Sequence, residues 1–472
     1  MRPSTAPRAV RTIPSMERQR EYVLRTVEER GVRLIRLWFT DVLGQLKSFA
    51  ISPAELESAF SEGMHFDGSA IDGFSRVQES DVLALPDPTT FEILPWGHGG
   101  DDKDASAAMF CDISDLDGTP FAGDPRQVLK RNLTAAREKG FTFYVAPELE
   151  FFYFEAGSVR SGDEPRTLDE GSYFDLTTTD VANDLRKKTI HMLEALGIPV
   201  EYSFHEDSPS QHEIDLRYTD ALSMADNVMT ARLVVREIAM QAGVHATFMP
   251  KPLQGVQGSG MHTHISLFEG DENAFHDPSD AYQLSKVGKA FMAGVLRHAR
   301  ELTAVTNQLV NSYKRLIQGS GVGSQTQFEA PVHVSWGRNN RSALVRVPIT
   351  KPGKSSSTRL EYRAPDPACN PYLAFSVLLA AGLKGIDEGY ELPPEAEANV
   401  WTMTPAERAA VGIEPLPASL SEAIDEMERS DVVRQALGEH IFEWFLRNKR
   451  AEWDLYRAQV TPFELHRYLG SW

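Results

Sequence analysis

Alternation between apolar and polar residues predicts several strands and helices along the chain. Residues 16–31, "MERQREYVLRTVEERG", follow Ser15 and have apolar side chains at helical spacing, so they predict a capped amphipathic helix that ends at Gly31. The next stretch, "VRLIRLWFTDVLG", alternates as a strand does. Further strands are predicted in "FTFYVAPELEFFYF" and "GMHTHISLFEG", and long helices near 231–242, 285–308, 371–386 and 439–458.

The 472 residues are too many for one typical domain. A Pro-, Gly- and Asp-rich belt, "LPWGHGGDDKDAS" at 94–106, is typical of a domain boundary. The first fifteen residues are basic and Pro-rich without the apolar core of a secretory signal, which predicts a disordered tail. We therefore predict a tail over 1–15, a small α+β domain over 16–107 and a larger catalytic domain over 108–472.

Composition excludes several classes of partner. The 48 basic and 67 acidic residues give a net charge of −19, which repels nucleic acid and anionic membranes. The longest apolar run, "YLAFSVLLAAGL", is shorter than the roughly 20 residues that span a bilayer. Two distant cysteines, Cys111 and Cys369, fit a reducing compartment. We expect a cytoplasmic protein without nucleic-acid or membrane partners.

Two acidic clusters are candidates for metal binding. In "VAPELEFFYF", Glu148 and Glu150 lie two residues apart on a predicted strand, so both carboxylates point to one face. Such close carboxylates repel each other unless a cation lies between them, although a solvated strand face is an alternative. In "FHEDSPSQHEIDLRY", Glu206 and Glu213 fit a solvated acidic loop as well as a ligand pair.

A third cluster, "GVQGSGMHTHISLF", combines glycines with imidazoles. Gly258 and Gly260 allow close backbone approach to a ligand, and His262, His264 and Ser266 share one strand face. The glycines match neither the dinucleotide-binding pattern nor a P-loop. Structural histidines are the alternative for this face.

The fourth cluster, "STRLEYRAPDPACNPYL", puts Arg359, Glu361 and Arg363 on one face by alternation. A structural ion-pair network is the alternative to anion binding here. Three more cations precede this cluster: Arg315, Arg341 and Arg346. The four clusters together supply carboxylates and imidazole suited to Mg²⁺ or Mn²⁺, with arginines suited to the phosphates of ATP, which describes a phosphoryl-transfer site.

In this order the motifs resemble the type I branch of the glutamine synthetase family from about residue 16 to the C-terminus. The stretches that carry the resemblance are "FDGSAIDGF", "PELEFF", "HEDSPSQHEIDLR", "QGSGMHTHISLF", "NSYKRL", "EAPVHVSWGRNNRSALVRVP" and "RLEYRAPDPACNPYL". The resemblance implies an α+β fold, with a small N-terminal β-grasp domain and a C-terminal catalytic domain of the glutamine synthetase/guanido kinase-like type. It also implies a homo-oligomer, a dodecamer of two stacked hexameric rings with active sites between neighbouring subunits.

The resemblance also implies roles for individual residues. Those matching metal ligands form two sets: Glu150, Glu206 and Glu213, and Glu148, His262 and Glu361. Those matching nucleotide contacts are Tyr218, His264 and Ser266, and the arginines that meet the transferring phosphate are Arg341, Arg346 and Arg359. Those matching glutamate contacts are Gln257, Gly258, Arg315 and Arg363. The incoming nitrogen would be received by Asp67 of a neighbouring subunit and by Glu329.

The implied chemistry joins glutamate to an amine in two steps. ATP would phosphorylate the γ-carboxylate with the help of Mg²⁺ or Mn²⁺, two or more per site, and an amine would then displace phosphate. Glu329 ends the glycine- and serine-rich tether in "YKRLIQGSGVGSQTQFEAP". A mobile acid there would close over the acyl phosphate, exclude water and bind the ammonium group.

The chain departs from the family pattern around the nitrogen pocket. Ala70 stands where ammonia-using members have a serine, and a hydrogen bond to an ammonium ion is worth roughly 1.5–3 kcal/mol. The stretch "GSGVGSQTQ" lengthens the flap before Glu329, although loops tolerate harmless insertions. Gln257 replaces the usual asparagine. Trp401 replaces a tyrosine that is adenylylated in regulated members, so we expect that control to be absent.

These departures favour an alkylammonium acceptor over ammonium. We therefore predict a glutamate–amine ligase resembling the γ-glutamylpolyamine synthetases, acting on putrescine, cadaverine, spermidine or spermine in polyamine breakdown or detoxification. An ordinary glutamine synthetase using ammonia and a glutamate–ethanolamine ligase are alternatives. A non-catalytic relative that keeps only the ring is a further alternative, against which the complete set of metal ligands and arginines argues.

Overall fold

The computed structural model describes residues 16–69, 71–73, 81–96, 105–159, 164–176, 181–317, 330–338, 340–350 and 353–472. These residues form two compact units. The first comprises 16–39, 46–69, 81–96 and 105–121, and the second comprises 40–45, 71–73 and the described residues from 122 onwards. Among the helices of these ranges, none is long and apolar enough to cross a membrane.

A six-stranded sheet and two helices build the first unit. The strands are β1 (Val32–Thr40), β2 (Leu46–Ile51), β3 (Met64–Asp67), β4 (Asp81–Pro86), β5 (Glu92–Ile93) and β6 (Ala105–Ser114), and the helices are α1 (Met16–Glu29) and α2 (Leu56–Ser61). The strand order is β2-β1-β6-β4-β3, with β5 on β6. The predicted amphipathic helix is confirmed, since Val23 and Val27 bury one face of α1.

The Pro-, Gly- and Asp-rich belt joins two strands of this sheet. β5 and β6 lie on either side of it and pair antiparallel, with Glu92 opposite Ala108. The belt is therefore a connection inside the first unit and not its boundary, because strands that pair belong to one sheet. A division after residue 107 falls inside β6, and the first unit continues to Phe121.

A ten-stranded sheet forms the centre of the second unit. Its strands are β7 (Thr142–Glu155), β8 (Val200–His205), β9 (Gln211–Leu216), β10 (Thr219–Asp220), β11 (Val244–Thr247), β12 (Thr263–Glu269), β13 (Glu272–Asn273), β14 (Trp336–Gly337), β15 (Val345–Arg346) and β16 (Leu360–Tyr362). The order along the sheet is β14-β15-β16-β12-β7-β9-β8, with β10 and β11 on β7 and β13 on β12. β7 is long enough to connect both halves of the sheet.

The second unit also contains helices. They are α3 (Pro125–Glu138), α4 (Val181–Ala195), α5 (Ala221–Gln241), α6 (Lys286–Thr306), α7 (Ser312–Arg315), α8 (Pro371–Glu388), α9 (Pro405–Ala410), α10 (Leu420–Glu428), α11 (Asp431–Leu437), α12 (Glu439–Arg457) and α13 (Pro462–Tyr468). Of these, α3, α4 and α5 pack against the sheet. The four long helices predicted from the sequence are confirmed as α5, α6, α8 and α12. α8 is buried nearly all round and packs tightly on α6, where a Cβ added at Gly294 would lie 2.2 Å from the carbonyl oxygen of Ala381.

Candidate active site

Five neighbouring strands of the large sheet bring polar side chains together on one face. In the sheet register, Arg346 of β15 lies beside Glu361 of β16, and Glu361 lies beside His264 of β12. β12 pairs with β7, and on the far side of β7 Glu150 lies beside Glu213 of β9. The alternation of each strand turns these residues to the same side, so residues distant in sequence meet in one site.

Glu148 is the acceptor at the centre of this face. One of its carboxylate oxygens accepts a hydrogen bond from His264 Nε2 at 2.8 Å, and the other lies 3.0 Å from His262 Nδ1. Burial raises the pKa of Glu148, but the two imidazoles outweigh it and hold the pKa well below its usual range. Ligand atoms of Glu148, His262 and Glu361 lie within 4.8 Å of one another. The structure therefore assembles the second of the two sets expected to bind metal.

The negative charge of Glu361 is offset by arginines as well as by imidazole. Its side chain is 1% exposed, Arg363 Nε lies 3.2 Å from one carboxylate oxygen, and Arg346 donates to the other. Burial raises the pKa of Glu361, whereas the charges of His264 and Arg363 lower it, with a net lowering. This half of the site is close to charge balance without a metal.

The other half of the site has an excess of negative charge. Burial, followed by the charge of Glu206, raises the pKa of Glu150 well above its usual range. Burial and the neighbouring Asp215 do the same for Glu213. The charge of Arg315 lowers the pKa of Glu150, but it offsets burial and the charge of Glu206 only in part. The first expected metal set, Glu150, Glu206 and Glu213, therefore forms a mutually repelling group that a divalent ion would stabilise.

Asp215 is a candidate ligand that the sequence analysis missed. Oxygens of Glu148, Glu213 and Asp215 lie within 4.8 Å of one another, and burial raises the pKa of Asp215 to about 7. Asp215 follows Glu213 by two residues on β9, so strand alternation places both on one face. That spacing was the signal available in "HEIDLRY". Carboxylates with one imidazole fit Mg²⁺ or Mn²⁺ better than a thiolate-binding metal.

We expect the metal-free protein to lose stability as pH rises from about 5 to 8. The folded-state pKa of Asp215 is about 7, while an unfolded aspartate titrates near ~3.9. The folded state therefore binds more protons in this window, and the free energy of unfolding falls as pH rises through it. Thermal unfolding followed at several pH values, with chelator and with added Mn²⁺, measures the effect. Metal should raise Tm more at pH 8 than at pH 5.5, and an equal rise at both would contradict the expectation.

The predicted nucleotide contacts line one cavity of about 380 Å³. It contains Tyr218, His264, Ser266 and Arg359, and Tyr144 forms part of its wall. Arg359 Nε donates to His264 Nδ1 at 3.2 Å, which leaves the proton of a neutral His264 on Nε2, facing Glu148. Arg359 thus lies with the nucleotide contacts, and apart from the arginines of the neighbouring cavity.

A second cavity of about 580 Å³ contains the other two arginines expected at the phosphate and a third that is expected to contact glutamate. Arg341, Arg346 and Arg363 line it together with Glu148, Glu361 and several further polar residues. Arg341 and Arg346 are five apart and cannot share a face of one strand. A turn closed by the hydrogen bond from Ala343 N to Asn340 O, 3.2 Å, contains Arg341 and ends before Arg346, and both arginines line the same cavity.

A third, smaller cavity lies where glutamate contacts were expected. Gln257, Gly258 and Arg315 line it. Arg315 is buried, and its guanidinium donates to the carbonyl oxygens of Ala364 at 2.7 Å and Arg363 at 3.2 Å. Two further lining residues were missed by the sequence analysis, Lys251 and Gln211.

Several aromatic and acidic residues at the second cavity were also missed. They are Tyr173, Phe204 and Asp207, and Trp401 joins them there. The ring centroids of Tyr173 and Phe204 are 5.7 Å apart. Phe204 and Asp207 lie within "FHEDSPSQHEIDLRY", where only Glu206 and Glu213 were singled out, and Tyr173 lies in no quoted motif.

Three residues expected at the nitrogen pocket are not assembled by the described chain. Asp67 ends β3 in the first unit, where its carboxylate accepts hydrogen bonds from Ser69 N at 2.8 Å and Ser69 Oγ at 3.0 Å. Ala70 and Glu329 lie outside the described residues. Their roles, and that of Asp67 toward another subunit, stay predictions.

Comparison with known families gives two matches that cover most of the chain. Residues 31–116 match "Glutamine synthetase, beta-Grasp domain", and residues 122–468 match "Glutamine synthetase, catalytic domain". The two matches confirm the expected fold class.

Curated relatives match over almost the full length. A glutamine synthetase of Mycolicibacterium smegmatis is 58% identical over 96% of this chain and 100% of the relative, and one of Methanosarcina mazei is 48% identical over 96% and 98%. Among solved structures, a GmaS/ADP complex has a TM-score of 0.84 at 30% identity, covering 95% of this chain and 99% of that one. Plasmodium falciparum glutamine synthetase, at 24% identity and TM-score 0.83 over 97% and 99%, shares the fold.

Proposed function

Because the chain belongs to the glutamine synthetase family, whose members are ATP-dependent ligases that form carbon–nitrogen bonds, we propose that it makes glutamine from glutamate, ATP and ammonia. The observation that supports the proposal is the row of polar residues across β15, β16, β12, β7 and β9, in which Glu148 and Asp215 line both the cavity that contains Arg359 and the cavity that contains Arg341 and Arg346. Relatives named glutamine synthetase, 45% to 58% identical over nearly the whole chain, support ammonia as the acceptor.

The residues of the two cavities would serve different parts of the reaction, nucleotide binding in the first and phosphoryl transfer in the second. A divalent ion, when bound, neutralises phosphate charge and polarises the γ-phosphate; the expected ligand sets Glu150, Glu206 and Glu213, and Glu148, His262 and Glu361, would hold it. Arg359 and His264 orient the nucleotide on one side of Glu148. Arg341 and Arg346 meet the phosphoryl group on the other side, where clustered positive charge stabilises its transfer to glutamate.

A second candidate acceptor is a polyamine. The second cavity is wide, and Tyr173, Phe204 and Trp401 line it near the carboxylate of Asp207. Aromatic faces bind alkylammonium groups by cation–π attraction, and Asp207 would attract a second charge of the same ligand. Ala70 stands where ammonia-using members have a serine, and the missing hydroxyl also favours an alkylammonium acceptor.

An amine panel tests the two acceptors against each other. Phosphate release by purified full-length protein is followed with ATP, Mg²⁺ and glutamate plus ammonium, ethanolamine, putrescine, cadaverine, spermidine or spermine. We expect efficient turnover with ammonium. Turnover with polyamines at concentrations where ammonium is inert would reverse the assignment, and absence of any glutamate-dependent ATP turnover would overturn both.

The variant Trp401→Ala separates the acceptors further. If a polyamine binds at the aromatic residues, the loss of one ring should raise the KM for putrescine about three- to thirtyfold, the range expected for a cation–π contact of roughly 0.5–2 kcal/mol. Trp401→Phe, which keeps a ring, should recover most of the affinity. The KM for ammonium should change by less than about threefold in both variants; equal losses for ammonium and putrescine would show general damage to the site.

The assembly and the remaining nitrogen-site residues complete the proposal. We propose a homo-oligomer, in the arrangement of a dodecamer of two hexameric rings, in which Asp67 of a neighbouring subunit faces the cavity. Glu329 would close the flap over the acyl phosphate and remove the proton of the attacking amine. A cytoplasmic location is proposed with it.

A further inference from the structure

A fourth cavity of about 600 Å³ lies in the second unit and shares no lining residue with the three cavities of the candidate active site. Its wall is formed by one face of α6, by the chain around β14 and by the segments 390–398 and 411–414. Trp336, Tyr390 and Ile413 provide apolar surface. The volume and the mostly apolar lining are those of a small-molecule site.

A buried hydroxyl in this wall lacks a partner. Ser335 lines the cavity and is 5% exposed, and its Oγ makes no hydrogen bond to any described residue. A buried hydroxyl left unsatisfied costs roughly 1–3 kcal/mol. The oxygen itself has almost no accessible surface, so a ligand would satisfy it only after the Ser335 side chain turns toward the cavity.

The charged residues at the rim of the cavity carry a net negative charge. Arg300 is paired with Glu426 at 2.6 Å. Arg297, whose guanidinium lies 4.4 Å from the ring centroid of Tyr390, keeps one positive charge at the wall. Three exposed glutamates remain at the rim without an ion pair to a basic residue of the described ranges: Glu391, Glu397 and Glu414. An apolar cavity with this rim selects an organic cation over an anion.

Hydrogen bonds join the cavity wall to the segment that carries Arg341. Trp336 Nε1 donates to Pro393 O at 2.7 Å, and Ala396 N donates to Trp336 O at 2.9 Å. The side chain of Asn340 donates to the carbonyl oxygens of Ala396 and Ala398, both at 2.8 Å. Trp336, which precedes the turn, and Asn340, which begins it, are therefore both hydrogen-bonded to the 393–398 segment.

The same segment leads to a second residue of the active site. Val400 N donates to Ser342 Oγ at 3.0 Å, directly after Arg341, and the next residue is Trp401 of the arginine-lined cavity. Displacement of the 393–398 segment would move both Arg341 and Trp401. Coupling between two sites requires such a shared element that has more than one position.

We propose that this cavity binds a small organic cation with an apolar body, and that its occupancy changes turnover by moving the segment 393–401 against Arg341. The apolar wall receives the body of the ligand, the rim glutamates attract the charge, and Ser335, once its side chain turns toward the cavity, accepts or donates one hydrogen bond. The site regulates the ligase without contact to its substrates.

Three probes of one shape test the ligand class on the full-length protein. They are 2-phenylethylamine, 2-phenylethanol and 3-phenylpropanoate, and binding is measured by calorimetry with ATP and glutamate saturating. We expect the amine to bind at least about tenfold more tightly than the alcohol, with the anion weakest. The double variant Glu391→Gln/Glu414→Gln should lose this preference, while Glu138→Gln/Glu194→Gln, which changes two exposed acids elsewhere, should retain it.

Activity provides the second measurement. The amine should change the maximal rate of glutamate-dependent phosphate release without changing the KM for ATP, and Glu391→Gln/Glu414→Gln should keep the basal rate while losing the response. Equal binding of amine and alcohol, binding unaffected by the double variant, or no binding of any probe overturns the proposal. Competition of the amine with ATP, glutamate or the acceptor amine would place it in the active site and also overturns it.

Discussion

Replacing Glu361 with glutamine is expected to lower glutamate-dependent ATP turnover on the order of a thousandfold. Glu361 is 1% exposed, belongs to the expected metal set with Glu148 and His262, and is in contact with Arg346 and Arg363. The amide is a poorer ligand for a hard cation, and it leaves two guanidinium groups close together without their shared carboxylate. The metal, the expected phosphate contact Arg346 and the expected glutamate contact Arg363 would therefore all lose their position.

Two measurements separate this loss from simple unfolding. Tm is recorded with chelator and with Mn²⁺, and we expect the metal to raise Tm of the parent protein much more than that of Glu361→Gln. Asp226→Asn is the matched control, since Asp226 is also a buried carboxylate, and it pairs with Arg126 at 3.0 Å outside the candidate site. The control should lower Tm while keeping the response to metal. Normal turnover by Glu361→Gln would remove Glu361 from the active site.

The strand alternation in the sequence predicted much of this site. Glu148 and Glu150, His262 and His264, and Glu361 with its flanking arginines were each placed on one face from their spacing. In the sheet, Glu148 contacts both imidazoles and Glu361 contacts Arg363, whereas Arg359 lies in the cavity of the predicted nucleotide contacts. The period-two rule needs only local information. The long helices were predictable for the same reason, because their apolar residues recur at helical spacing.

The register between strands was not available from one sequence. Nothing in the local pattern says that Arg346 lies beside Glu361, or that Glu150 lies beside Glu213, because such pairing depends on the whole sheet. The belt at 94–106 shows the same limit. Its composition marks a turn-rich connection, but only the pairing of β5 with β6 shows that both ends belong to one sheet.

The electrostatic division of the site also depends on this register. The imidazoles and arginines gather around Glu148 and Glu361, while Glu213 and Asp215 lie close to Glu148 and burial and neighbouring carboxylates raise the pKa of Glu213. Counting the residues in the motifs finds both carboxylates and arginines, but it does not say which of them lie next to each other. Only the geometry shows that one half requires an added cation, which is the physical reason to expect metal there.

Gly260→Ala is the second substitution with a large expected effect, on the order of a hundredfold loss in kcat/KM for glutamate. A Cβ at this position would lie 2.6 Å from Arg315 Nη2, 3.1 Å from His262 Nε2 and 3.2 Å from Glu150 Oε1. One added methyl would thus press on an expected glutamate contact and on both metal sets at once. Arg315 is fixed by its bonds to the carbonyl oxygens of residues 363–365, so it has little room to move away.

Gly157→Ala is the control, because its Cβ would meet no atom within 4 Å and its backbone, like that of Gly260, is outside the left-handed region. Both variants add one methyl to an allowed conformation, so a difference between them reports the contacts alone. Steady-state kinetics with varied glutamate and varied Mn²⁺ should show Gly260→Ala raising both KM values and Gly157→Ala raising neither. If Gly260→Ala kept its affinity for glutamate and metal, the close packing of Arg315, His262 and Glu150 around Gly260 would not be needed for substrate binding, and the glutamate site would have to lie elsewhere.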